Sequence, residues 1–175
     1  WLKVYTIPDV LRTSKGKSIA NLLSLEPDEG IAGILSVKNF EEGKNVLLVT
    51  EKGVVKKTSL MAYSKPRQGG IIGLTVDKGD RVIAAGITDG TQDILMVTRN
   101  GFSIRFPEKE VRPIGRTGRG VRGIRLKEGD LVAGACVVKP EAAILTVTDK
   151  GFGKRTKLAE YPVQGRGGLG VITIK

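Results

Sequence analysis

The 175-residue sequence has no histidine and one cysteine. The lack of histidine excludes Ser-His-Asp and Cys-His catalytic arrangements and any metal site built on imidazole. The single thiol, Cys136, can form neither an internal disulfide nor a CxxC site. It lies in the apolar run Leu131-Val-Ala-Gly-Ala-Cys-Val-Val138, so a buried, inert strand residue is expected there. No run of about 18 apolar residues occurs, and no signal peptide, so a soluble, intracellular character with no membrane partner is expected. Aromatic residues make up 5%, too few for a platform that stacks the bases of single strands. No GxxxxGK[ST] phosphate loop is present. Gly118-Arg-Gly120-Val-Arg-Gly123 fits GxGxxG, but a strand-like segment follows it, whereas a dinucleotide site needs a helix N-terminus there. Together these absences remove most enzyme classes.

Glycine and positive charge are abundant. The 24 glycines are about twice the average usage of roughly 7%, which points to many tight turns. The net charge is +11, from 29 basic and 18 acidic side chains. Residues 1–44 hold 6 basic and 6 acidic groups; residues 45–92 hold 7 and 4; residues 93–142 hold 10 and 6; residues 143–175 hold 6 and 2. The excess of +3, +4 and +4 is therefore spread over three successive stretches. That distribution favours a positive surface on a folded body over a solvated tail.

Self-similarity organises the chain. Asn45-Val-Leu-Leu-Val-Thr-Glu-Lys-Gly53, Asp93-Ile-Leu-Met-Val-Thr-Arg-Asn-Gly101 and Ala143-Ile-Leu-Thr-Val-Thr-Asp-Lys-Gly151 align at steps of 48 and 50 residues. Each pairs an apolar, β-branched strand with a tight glycine turn, which is hairpin chemistry. After each hairpin comes a glycine, aligned as Gly16, Gly70, Gly120 and Gly168, followed by an apolar-rich segment: residues 19–25, 71–76, 121–126 and 171–174. Turns at Gly30, Gly79 and Gly129 then lead to apolar strands at 31–37, 82–87 and 131–138. The unit is four short strands in about 50 residues. Arg112, Arg116, Arg119, Arg122 and Arg125 have helical spacing, but Pro113, Gly115, Gly118, Gly120 and Gly123 interrupt them, so they belong to a loop entering a strand. The fold class is all-β: a propeller-like array of four-stranded blades forming a partial ring. The repeats span about 1–44 (partial), 45–92, 93–142 and 143–175 (partial). Starting on Trp1 and stopping on a strand-like run, the chain reads as an excerpt of a longer protein.

The repeat also allows charge to be read by position. Four residues beyond the hairpin glycine stand Lys57, Arg105 and Arg155; one residue earlier stand Lys56, Ile104 and Lys154. A cation at the same phase of every blade implies a periodic basic stripe that could follow a polyanion. A second basic set lies in the glycine-rich loops: Lys65 and Arg67, then Arg112, Arg116, Arg119, Arg122 and Arg125, then Arg166. Glycine there would bare backbone N–H donors beside guanidinium groups, a suitable grip for phosphate oxygens. Tyr63 and Tyr161, each ten residues past a hairpin glycine, are expected to pack and not to react.

Trp1-Leu-Lys-Val-Tyr-Thr-Ile-Pro8, the repeated [VI]-L-x-V-T-x-x-G strands, Arg112-Pro-Ile-Gly-Arg-Thr-Gly-Arg-Gly-Val-Arg-Gly-Ile-Arg-Leu126 and Gln164-Gly-Arg-Gly-Gly-Leu-Gly170 together resemble the C-terminal domain of the bacterial DNA gyrase A polypeptide. The resemblance runs the length of the chain. It implies a β-pinwheel in which neighbouring repeats exchange strands, and a non-catalytic module that bends double-stranded DNA around a basic rim. The crossing so formed would have one hand and would be converted to negative supercoils by an ATP-dependent type II topoisomerase. The implied partners are DNA, the rest of gyrase A, and gyrase B in an A2B2 heterotetramer, in the cytoplasm on the nucleoid. No cofactor is implied for this segment, since ATP and Mg are used elsewhere in such an enzyme. The family's cleavage tyrosine belongs to a part of gyrase A outside this chain. Its signature heptapeptide, Gln-Arg-Arg-Gly-Gly-Lys/Arg-Gly, has a degenerate copy in Gln164, Arg166, Gly167, Gly168 and Gly170, with Gly165 and Leu169 replacing basic residues. The alternatives are the equivalent domain of topoisomerase IV and a propeller-type scaffold for protein partners.

Overall fold

The computed structural model describes the whole chain except residues 7, 8, 19, 20, 22, 24, 26–28, 68 and 175. Among the described residues there are strands and short 3-10 turns but no α-helix. The hairpins fall where the glycine turns place them. They are β1 (Asn45–Thr50) with β2 (Val54–Ser59), β4 (Asp93–Thr98) with β5 (Phe102–Pro107), and β8 (Ala143–Val147) with β9 (Gly153–Lys157). Each closes through a three-residue turn whose last residue is glycine. In each the threonine before the turn accepts a hydrogen bond from the residue after it: Val54 N to Thr50 at 3.2 Å, Phe102 N to Thr98 at 3.2 Å, Phe152 N to Thr148 at 3.1 Å.

Two complete blades are built around these hairpins. An apolar strand pairs with the first strand of its own hairpin: β3 (Val82–Thr88) with β1, and β7 (Val132–Val138) with β4. The fourth strand is lent by the following repeat. β6 (Val121–Arg122) pairs with β2, and β10 (Val171–Ile172) with β5, giving the orders β3-β1-β2-β6 and β10-β5-β4-β7. An isolated bridge from Ile71 to Leu2 repeats the same exchange one unit earlier. These registers align Ile71, Val121 and Val171, so the glycines at matching places are Gly70, Gly120 and Gly170. Gly168, taken from the sequence alone, is two residues off. All three have positive φ (86°, 89° and 77°).

The strands are apolar on both faces because each blade is covered on both sides. Leu47 and Val49 join Ile94, Met96, Ile104 and Phe106 in a cluster between the first and second blades. Val46 and Leu48 point the other way, into a cluster with Leu60, Tyr63 and Ile71 against which Leu2, Leu35 and Phe40 pack. On the far side, Leu95, Val138, Leu158 and Tyr161 join the second blade to the third hairpin. The expected strand at 31–37 forms no ladder. It packs as a strand of its kind would, with Gly33 beside Ala85 of β3. Of the expected segment 19–25, only residues 21, 23 and 25 are among those described. Cys136 lies on β7 as expected, but exposed, not buried. Partial desolvation by its surroundings still raises its thiol pKa.

Candidate nucleic-acid interface

The phased cations do not form an outer stripe. Lys57 occupies its expected place on β2, opposite Leu47, but it is 4% exposed. Its ammonium donates to the Glu108 main-chain oxygen at 2.8 Å and to the Glu108 carboxylate at 3.2 Å, across the boundary between blades. Glu108 is itself fully buried, and its carboxylate also accepts from the Gly90 and Gln92 amides (2.9 and 3.0 Å) and from the Thr88 hydroxyl. Every oxygen of this ion pair is therefore occupied, as a buried charge requires.

Arg105 does the same one blade on. Its Nε donates to Asp93 at 2.8 Å, and its terminal nitrogen to the carbonyls of Leu158 and Tyr161 at 3.1 and 3.2 Å. Glu108 and Leu158 each stand seven residues past their hairpin glycine. The repeating cation therefore reaches into the 3-10 turn of the next repeat each time, and its counter-ion moves from Glu108 across the boundary to Asp93 in the same hairpin. The phase was periodic because the blades stack periodically. Of the three, only Arg155 is exposed, as is its neighbour Lys154.

Lys56 is also interior, at 1% exposure. Its ammonium donates to the Gly73 carbonyl at 2.6 Å and to the Arg116 carbonyl. Burial, and secondly the nearby Arg116 guanidinium, lower its pKa from 10.5 to about 8. Tyr63, expected to pack, is buried with its hydroxyl donating to Gly73 O at 3.4 Å, and burial raises its pKa. Tyr161 is buried too.

The glycine-rich loops are the set that the fold brings together. They lie at the lent-strand edge of the blades, opposite β3 and β7. Thr75 bonds to the second loop through its amide to Gly118 O (3.4 Å) and its hydroxyl to Thr117 O (2.6 Å). Fifty residues on, Arg125 N donates to Gly168 O at 2.8 Å, and Gly167 N to Gly123 O at 2.8 Å. The loops thus form one hydrogen-bonded ribbon running from blade to blade. Several of their glycine amides are engaged by main-chain oxygens (Gly70 N to Arg67 O, Gly118 N to Gly115 O, Gly123 N to Gly53 O, Gly167 N to Gly123 O), so these four are not offered to phosphate as the sequence suggested. Gly120 instead permits close approach, since a Cβ there would lie 2.7 Å from Val55 O.

What the ribbon exposes is side-chain charge. Lys65, Arg67, Arg112, Arg119, Arg122 and Arg125 are exposed and Arg116 is half-buried. Arg119 pairs with Asp77 at 2.9 Å, both largely exposed, a contact that water screens strongly. Arg112, Arg122 and Arg125 have no carboxylate at ion-pair distance among the described residues. Arg166 is turned inward: its amide donates to the Glu110 carboxylate at 2.8 Å, its Nε to Glu110 O at 3.2 Å, and a terminal nitrogen to Arg122 O at 2.5 Å. In the degenerate heptapeptide, Arg166 is thus a clamp between loops, Gly167 lies against Arg122, and Gly170 gives the backbone access to Ser103. Gln164 donates its amide to Arg105 O at 2.8 Å, and Gly168 accepts from Arg125.

The sequence reading missed Glu108, Asp93 and Glu110, the acids that hold these contacts. Asp93 could have been found from its place diagonal to Arg105 in the hairpin, two residues before Leu95; Glu108, replaced by leucine in the next repeat, carried no repeat signal. Among the described residues there is no group of His, Cys, Asp and Glu able to hold a metal ion, and no helix long and apolar enough to cross a membrane.

Antiparallel blades that borrow their outer strand from the next repeat, with arginine loops along that edge, define a β-pinwheel, a propeller-type repeat domain. Residues 1–38, 44–89, 92–139 and 142–175 match the family model for the DNA gyrase C-terminal domain, beta-propeller. The chain belongs to this family. It is 48% identical over 124 residues to the DNA gyrase A polypeptide of Chlamydia muridarum, an alignment covering 70% of this chain and 15% of that protein. Among solved structures, the C-terminal domain of DNA topoisomerase IV superposes with a TM-score of 0.87 at 33% identity, covering 94% of this chain and 52% of that one. The DNA gyrase A C-terminal domain superposes at 0.80 with 27% identity, covering 90% and 52%.

Proposed function

We propose that this domain is the DNA-binding, non-catalytic module of a DNA gyrase A polypeptide, and that it bends duplex DNA along the ribbon of arginine loops. The observation that carries this reading is the ribbon itself: three loops bonded edge to edge, with Arg112, Arg119, Arg122 and Arg125 exposed on the middle one. Such an edge offers charge at blade spacing without a base-reading element, so contacts would go to phosphates and binding would tolerate sequence. Use of about six phosphates gives a slope of log affinity against log salt of roughly −5. Bending around the edge would fix the hand of a DNA crossing, which the ATP-driven remainder of an A2B2 enzyme would turn into negative supercoils in the cytoplasm. In this reading residues 1–175 are one wrapping domain, with repeats at about 1–44, 45–92, 93–142 and 143–175, and need no cofactor of their own.

The test is DNA topology: nicked circles are bound by the domain, sealed by ligase and examined for linking number. A shift that grows with protein supports wrapping; binding without a shift refutes it. The second outcome would favour the topoisomerase IV type of domain, the reading suggested by the higher TM-score of 0.87 against 0.80.

A further inference from the structure

An ammonium buried without a carboxylate partner is costly, and Lys56 is such a group. At 1% exposure, its acceptors are two carbonyl oxygens, those of Gly73 and Arg116. No acid lies at ion-pair distance from it among the described residues. Among the described residues, the charged and titratable groups beside it are the Arg116 guanidinium and the Tyr63 hydroxyl, which shares its Gly73 acceptor; neither neutralises it. Nor does the fold demand a lysine at this place, since Ile104 fills the same position one repeat on and is equally buried.

What differs between the two repeats is the loop lying over that position. Over Ile104 sits the loop at residues 164–170, where a Cβ added at Gly168 would lie 3.6 Å from Ile104 Cδ1. That loop is fixed from outside by Arg166, whose guanidinium and amide are taken by Glu110 and Arg122. Over Lys56 sits the loop of Arg112, Arg116 and Arg119. Arg116 occupies the place of Arg166, yet its loop is held from inside, through the Arg116 carbonyl, while Ile114 N donates to Lys57 O at 2.9 Å. An interior ammonium thus does for the main chain what Arg166 does with its own side chain, while Arg112 and Arg119 stay exposed on the same loop.

We propose that Lys56 is a positioning residue: from within the core it holds the Arg116 main chain and so fixes the loop that presents the exposed Arg112 and Arg119 guanidinium groups to duplex DNA. The proposal rests on the DNA-binding function advanced above. Neutralising Lys56 weakens its grip on the two carbonyls, and its pKa of about 8 puts that change within reach of an ordinary pH series.

The test is Lys56→Ile, which copies the side chain of the next repeat. Its thermal unfolding should remain cooperative, while amide exchange at residues 114–119 speeds up and that at 164–170 stays the same. Affinity for a plain duplex at 0.1 M salt should fall about five- to tenfold, the scale of one or two phosphate contacts. The unsubstituted chain should lose affinity more steeply than Lys56→Ile between pH 7 and 9. Unchanged exchange in the loop overturns the clamp. Faster exchange with unchanged affinity and pH profile overturns its role in binding. If the unsubstituted chain shifts no duplex at all, the DNA-binding function falls, and with it the role given to Lys56.

Discussion

Replacing Glu108 by leucine, the residue found one repeat later at Leu158, tests the claim that the phased cations join blades. The substitution would strip the Lys57 ammonium of its one carboxylate partner among the described residues, leaving it one main-chain oxygen in a site 4% exposed. It would also leave the Gln92 amide and the Thr88 hydroxyl without their acceptor. Removing one member of a buried pair costs about 3–5 kcal/mol, a large part of the roughly 5–15 kcal/mol that holds a typical domain together. Lys57→Met should cost less, about 1–3 kcal/mol, because the Glu108 carboxylate would keep its bonds from Gly90, Gln92 and Thr88. The double variant should recover about 2 kcal/mol against the sum of the singles, since no charge is then left buried alone. Urea unfolding followed by far-UV circular dichroism is the suitable assay, because Trp1 is 75% exposed and its fluorescence would report little. A Glu108→Leu cost below about 1 kcal/mol, or a double variant no better than the sum, would refute the latch.

Two further predictions separate backbone and charge effects. Gly120→Ala, at φ 89° with Val55 O 2.7 Å from the added Cβ, should cost about 2–4 kcal/mol in urea unfolding. Gly90→Ala, at φ 95° in open space, should cost only about 1 kcal/mol; equal losses would mean that the lent strand does not approach as closely as described. Between pH 8 and 10.5 the unfolded chain keeps the Lys56 proton that the folded chain has lost. The unsubstituted chain should therefore gain stability relative to Lys56→Ile as pH rises through that window, and a flat difference would contradict the lowered pKa.

The hairpins were legible because their signal is local: a β-branched run, a threonine, and glycine at the last place of the turn. The lent strands were not. Nothing in Val121-Arg122 says that it pairs with Val54 and Val55 of the preceding repeat, so the alignment of entry glycines drifted to Gly168 when the register requires Gly170. The basic columns were read in the right phase and with the wrong exposure. Equivalence between repeats says that residues share an environment and leaves open whether it is wet; the same periodicity that rightly marked Tyr63 and Tyr161 as packing residues also marked Lys57 and Arg105. Ile104, in the Lys56 column, was the available sign that this column faces inward. Cys136 erred the other way: an apolar sequence neighbourhood on β7 suggested burial, but the thiol is exposed although it shares a sheet face with its buried partner Leu95. The arginine loop was read correctly as a loop, because five breakers outweigh a helical spacing.

The salt dependence of duplex binding tests the central claim most directly, with the Arg112→Ala/Arg122→Ala/Arg125→Ala variant and Lys57→Met compared with the unsubstituted chain. The triple variant should fold normally and flatten the plot of log affinity against log salt by about 2–3 units, while Lys57→Met loses stability and keeps the slope. A flattened slope in Lys57→Met together with an unchanged one in the triple variant would place the duplex on the phased cations and not on the loops, contradicting the account.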